Sequence, residues 1–225
     1  MKKIGFIGAY EKTNLLLYIA KMLVLTRKRV LIIDTTRSQR ARYIVPCMTP
    51  SVYYITEFEG IDVAVGFNNF TGIMNYLGVQ ELTYDVVLID IDSNEMFNSF
   101  EMSQSDWNYF VTAFDNYSLK RGLEIIGTMS EKIRMTKILF SRDMIEEEND
   151  YLDFLSFYFS VMWHEEKVVF PYEKGDNTVH IENQRAATVR FKELTPEYKE
   201  GITQIVSVID EAINMNEVKK ILKNN

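Results

Sequence analysis

MKKIGFIGAYEKTNLLLYIAKMLVLTRKRVLIID, residues 1–34, reads as a strand, a turn, a helix and a second strand. Ile4-Gly5-Phe6-Ile7 is a short apolar run closed by Gly8. The stretch from Lys12 to Leu25 then has a helical pattern, and Arg29-Val30-Leu31-Ile32-Ile33-Asp34 returns as a strand that ends on an acid. This is a βαβ opening. Val30 to Ile33, and Val86 to Ile89 further along, are continuously apolar rather than alternating, which suits strands covered by helices on both faces. The expectation is a three-layer α/β/α fold around a mainly parallel central sheet. Further strands are expected at Ile61 to Val65, Tyr109 to Thr112, Lys137 to Phe140 and Lys167 to Phe170, and helices at Asn69 to Leu77, Ser118 to Ser130 and Pro196 to Leu222. Arg37 to Glu59 and the acidic Asp143 to Asp150 read as surface excursions, and the aromatic run Tyr151 to Phe159 as core.

No repeat, low-complexity tract or linker divides the 225 residues, so a single domain is expected over 1–225, with an amphipathic C-terminal segment at 216–225. Lys and Arg total 25 against 32 Asp and Glu, a formal charge of −7, which disfavours coating of nucleic acid. Cys47 is the one cysteine and His164 and His180 the two histidines, so neither an intrachain disulfide nor a Cys/His zinc cage is expected. The N-terminal apolar run is broken by Gly5 and Gly8 and followed by Glu11 and Lys12, so it reads as a strand rather than a signal peptide. No run reaches the roughly 18 apolar residues of a membrane span, and a cytoplasmic protein is expected.

In open parallel sheets, ligands bind at the carboxyl ends of strands. After the first strand comes Gly8-Ala9-Tyr10-Glu11-Lys12-Thr13-Asn14, a turn into a helix whose first residues are Lys and Thr. Backbone N–H groups at such a helix start can cradle phosphates, with Lys12 adding charge and the Thr13 hydroxyl holding Mg²⁺. Phe6 and Glu11 stand where the pattern G-x-x-x-x-G-K-[ST] has its glycines, and a carboxylate at Glu11 repels phosphate unless it turns outward. Two other strands end on acids, Asp34 and Asp90, which can hold Mg²⁺ directly or through water. For each acid alone, a helix cap or turn is the competing reading.

The order of these elements resembles the MinD and ParA family of deviant P-loop ATPases over nearly the whole chain. Asp106 to Gly122 is similar to the family's later strand and helix, Lys137-Ile138-Leu139-Phe140-Ser141-Arg142 falls where a strand usually ends in a base-contacting Asn, and Val168-Val169-Phe170-Pro171-Tyr172 resembles the segment lining the adenine pocket. The resemblance implies a P-loop NTPase fold, ATP or ADP with Mg²⁺ as cofactor, and nucleotide contacts from Gly8 to Asn14 together with Ser141, Pro171 and Tyr172. It implies Thr13, Asp34 and Asp90 around the metal, and a homodimer formed around the nucleotide. The family's signature lysine is replaced by Ile7, its second switch aspartate by Thr36 and its base-reading Asn by Ser141. These departures converge on hydrolysis, so no catalytic residue is assigned and a pseudo-ATPase is expected.

Within that family the chain is most similar to the pilus-positioning TadZ proteins. The expected function is localisation or recruitment for a cell-envelope assembly such as a pilus or secretion system, through protein partners. The alternative is a slow Mg-ATPase switch cycling between monomer and dimer in division-site, flagellar or partition positioning. Arg27, Lys28, Arg29, Arg37, Arg40 and Arg42 form a basic segment that could meet phosphates or an acidic partner, or else be a solvated edge. At the C-terminus, Val218, Ile221 and Leu222 share a helix face flanked by lysines. That face either packs on the domain or makes a weak contact with the inner face of a membrane.

Overall fold

The computed structural model describes residues 1–49, 51–141 and 145–225. The opening is as the sequence predicts: β1 (Lys2–Ile7), α1 (Thr13–Leu25) and β2 (Val30–Asp34). A one-turn helix α2 (Ala41–Ile44) and a hairpin of β3 (Tyr54–Phe58) and β4 (Ile61–Val65) follow, then α3 (Phe70–Leu77) and β5 (Val86–Ile91). The second half alternates α4 (Asn94–Ser99), β6 (Trp107–Ala113), α5 (Asn116–Gly127), β7 (Ile133–Ser141), α6 (Ile145–Ser156) and β8 (Val161–Pro171). Three helices close the chain: α7 (Lys174–Ala186), α8 (Pro196–Ile209) and α9 (Met215–Asn224).

Among the described residues the sheet has eight strands in the order β3-β4-β2-β5-β1-β6-β7-β8. Every neighbouring pair is parallel except the edge hairpin of β3 and β4. The doubly apolar strands supply both layers of core. Val30, Ile32 and Leu88 face α1, α8 and α9, whereas Leu31, Ile33, Ile89 and Ile91 face α3, α4 and α5. From β1 the chain crosses first to β2 on one side, and later from β5 to β6 on the other. This reversal opens a crevice beyond the carboxyl ends of β1 and its neighbours.

Four expectations need correcting. The excursion at Arg37 to Glu59 contains an edge strand, since Tyr54 and Phe58 turn into the core while Glu57 faces solvent. The acidic excursion continues as a helix from Ile145, and Asp143 lies outside the described residues. Tyr151 to Phe159 is only partly core. Leu152 is buried, but Tyr151 and Phe154 lie on the outer face of α6, which covers the sheet near its β7–β8 edge with one face only, and Phe157 and Tyr158 are exposed in the turn after it. The single helix expected from Pro196 to Leu222 is broken after Ile209, and Asn214 caps its second half by accepting the Asn216 N–H.

That second half also bears on the C-terminal face. Val218 and Leu222 are buried in the core layer formed with α1 and α8, and Ile221 packs against it. The apolar stripe is thus used inside the domain. No helix among the described residues is long and apolar enough to cross a membrane.

Candidate functional site

β1 ends at Ile7, and the next residues must reverse to begin α1. Gly8 has φ of 144°, and a Cβ there would lie 2.1 Å from the Val111 carbonyl oxygen, so the loop needs glycine where it passes the end of β6. Phe6, at the first glycine position of the phosphate-loop pattern, stacks on Tyr109 in the core, with ring centroids 5.1 Å apart. Ile7, at the position of the signature lysine, is fully buried on the opposite face of the sheet.

Lys12 is only 2% exposed. Its ammonium sits 2.8 Å from Asp90 Oδ1 and donates to the carbonyls of Gly8 at 2.7 Å and Tyr10 at 3.1 Å. A buried ammonium needs such a partner, and the strand end of β5 supplies it. Burial pushes the Asp90 carboxyl up to about 7, against the pull of Lys12 and with the help of Asp34 and Glu11.

Glu11 does not turn outward. Its Oε1 accepts the backbone N–H of Thr13 at 2.7 Å, and Oε2 lies 3.5 Å from the Asn14 amide nitrogen. The carboxylate therefore covers the amino terminus of α1, where the helix dipole favours an anion. Asn14 is in turn held by Gln184 of α7, whose amide donates to it at 3.0 Å.

In front of this loop lies a cleft of about 370 Å³. Ala9 to Thr13, with Asp90 and Asp92, line its floor. Thr36, Arg37, Ser38 and Arg40 form one wall, and Tyr117 and Arg121 of α5 the other. Asp92 Oδ2 accepts the Arg37 N–H at 2.9 Å, and its Oδ1 is buried without a hydrogen-bond partner among the described residues. Arg121 pairs with Glu124 at 2.7 Å, whereas the exposed Arg37 and Arg40 have no ion pair among the described residues.

Of the three residues expected around a metal, Thr13 and Asp90 reach the cleft and Asp34 does not. Asp34 Oδ1 accepts the Thr36 hydroxyl at 2.6 Å and the Thr36 N–H at 2.9 Å, and Oδ2 accepts the Ala41 N–H at 3.0 Å. Its carboxylate is used to shape the loop after β2. Ser141, Pro171 and Tyr172, expected at the base, lie beyond the cleft at the ends of β7 and β8. Ser141 donates to Glu148, and Arg142 lies outside the described residues. Tyr10 fills the space beside them: its ring is 4.5 Å from that of Phe140 and 6.5 Å from that of Tyr172. Burial, with Tyr172 close by, holds the Tyr10 hydroxyl well above the usual phenol range.

The sequence reading assigned no role to Asp92, Tyr117 or Arg121. Asp92 had a signal, since it stands two residues beyond a strand-end acid. Tyr117 and Arg121 carry none locally, because only the pairing of β6 with β1 brings α5 beside the loop. The basic segment also divides. Arg37 and Arg40 line the cleft, while Lys28 and Arg29 lie at the opposite end of β2, near Asp210 at 2.9 Å and Asp85 at 3.7 Å.

No protein-family model and no curated protein sequence matches the chain. Solved structures do. MinD from the MinC:MinD cell division protein complex of Aquifex aeolicus superposes with a TM-score of 0.60 at 14% identity, over 96% of this chain and 98% of the other. The ParA family ATPase of Chlorobium tepidum TLS gives 0.58 at 13% identity, over 91% and 97%. A partition-type protein of Borrelia burgdorferi B31 bound to AMPPNP gives 0.59 at 14% identity, over 94% and 99%. The chain therefore has the α/β fold of the MinD and ParA P-loop ATPases.

Proposed function

We propose that the cleft in front of Lys12 is a nucleotide site of MinD/ParA type that has lost efficient hydrolysis, and that the protein acts as a TadZ-like recruitment factor for an envelope assembly such as a pilus or secretion system. The observation that carries the nucleotide reading is the buried Lys12–Asp90 pair at 2.8 Å. It joins the end of β5 to the start of α1 beneath a cleft also lined by Arg37, Arg40 and Arg121. A polyphosphate is the ligand such cationic walls fit best. Thr13, Asp90 and the unpartnered Asp92 Oδ1 are oxygen donors of the kind Mg²⁺ takes, and the ion would neutralise charge on the phosphates. This chain's own part is to hold and orient: Gly8 lets the loop pass β6, Asp90 anchors Lys12, and the arginines meet the anion.

Loss of hydrolysis is supported by Ile7 and Thr36. Ile7 is buried in the core, and Thr36 donates to Asp34 in place of an acid that could orient water. The recruitment role rests on resemblance, as do the homodimer and the protein partners. One observation favours the slow Mg-ATPase instead: Asp92 offers a second carboxylate on the cleft floor. A steady-state hydrolysis assay of wild type beside Lys12→Ala decides between the two. Equal, background-level turnover is expected, and wild-type turnover far above the control overturns the loss of hydrolysis in favour of a Mg-ATPase.

A further inference from the structure

We infer that Glu11 is a built-in occupant of the phosphate seat, and that an incoming polyphosphate binds only by driving its carboxylate off the amino terminus of α1. The inference rests on the nucleotide reading above and adds the regulation of that site. The N–H of Thr13 is the group a phosphate oxygen needs at a helix start, and Glu11 Oε1 already accepts it at 2.7 Å. The bond is charge-assisted and lies at the positive end of a 13-residue helix, so an anionic ligand has to displace an anion already in place. Two anions cannot share that donor without strong repulsion.

Two independent contacts show the same loop satisfied from within. Tyr10 packs its ring against Phe140 at 4.5 Å, filling the space toward β8. Lys12 spends its ammonium on Gly8, Tyr10 and Asp90. The cleft nevertheless remains open at about 370 Å³, with the side chains of Arg37 and Arg40 unpaired on its wall among the described residues. Counter-charge for an arriving anion is thus available on one wall, while the floor is held by Glu11.

Calorimetric titration of Mg-ATP and of inorganic tripolyphosphate into the full chain tests this, comparing wild type, Glu11→Gly, Glu11→Gln and Lys12→Ala. Glu11→Gly removes the carboxylate and should tighten both ligands about ten- to a hundredfold. Glu11→Gln keeps an acceptor over Thr13 without the charge, should tighten them less, and decides the matter if the glycine variant does not fold. Wild-type affinity in both Glu11 variants, with binding lost in Lys12→Ala, overturns the inference and leaves the nucleotide reading standing. No binding by any folded variant, Glu11→Gly included, overturns both.

Discussion

At the scale of single residues, the buried Lys12–Asp90 pair and Thr13 form part of the cleft floor. Lys12, Asp90 and Thr13 were legible from the sequence, because strand ends and helix starts are where a parallel sheet places its chemistry. The direction of Glu11 was not. A carboxylate one residue before a helix can turn to solvent or fold over the first N–H groups, and only the packed loop decides. Asp34 shows the same ambiguity: its strand-end position fits metal binding, yet Thr36 and Ala41 take both its oxygens. His180 offers a pH test. It lies between the rings of Tyr18 and Tyr198, and its Nε2 is buried without a partner among the described residues. Burial holds its pKa below the usual 6.5, against the pull of Asp176 and Glu11. The folded state then keeps neutral an imidazole that the unfolded chain protonates. Its contribution is therefore present above about pH 6.5 and lost as the pH falls through the lowered folded value. In thermal melts, the stability of wild type relative to His180→Phe should be level above pH 7.5 and fall between pH 7 and 5. A difference that does not change with pH would contradict this.

At the scale of elements, legibility followed burial. The strands that form the middle of the sheet were readable because both their faces are apolar. Ile61 to Val65 was located to the residue. β3 was missed because it is an edge strand with mixed burial, and α7 because most of its residues are polar and it buries little. α9 was read with its apolar face in two roles, and the structure uses that face in the core. Leu222 is 7% exposed, so Leu222→Ala should cost about 2–4 kcal/mol in chemical denaturation and leave sedimentation with phosphatidylglycerol-containing vesicles unchanged. Unaltered stability together with lost vesicle binding would return the segment to the membrane.

At the scale of the whole molecule, the three-layer architecture was the most legible feature, and the distribution of charge the least. Arg27 to Arg42 reads as one basic patch along the chain. β2, however, runs through the middle of it, and five strand residues at about 3.3 Å each separate its two ends by roughly 17 Å. Lys28 and Arg29 at the far end of β2 are partly neutralised by Asp210 and Asp85, Arg37 and Arg40 face the cleft, and Arg42 turns away to donate to the Ser51 and Val52 carbonyls. The same folding brings Arg121 in from α5, more than a hundred residues beyond the loop after β1, a juxtaposition no local pattern announces. The central claim is that this assembled cleft, its floor fixed by the Lys12–Asp90 pair, holds a nucleotide and does not consume it. Equilibrium dialysis of wild type and Lys12→Ala against labelled Mg-ATP, at concentrations high enough to fill a weak site, measures both halves at once if the retained label is separated into ATP and ADP. The account predicts retention by wild type alone, with the label still ATP. Equal retention by the two proteins, or label accumulating as ADP with wild type only, would contradict it.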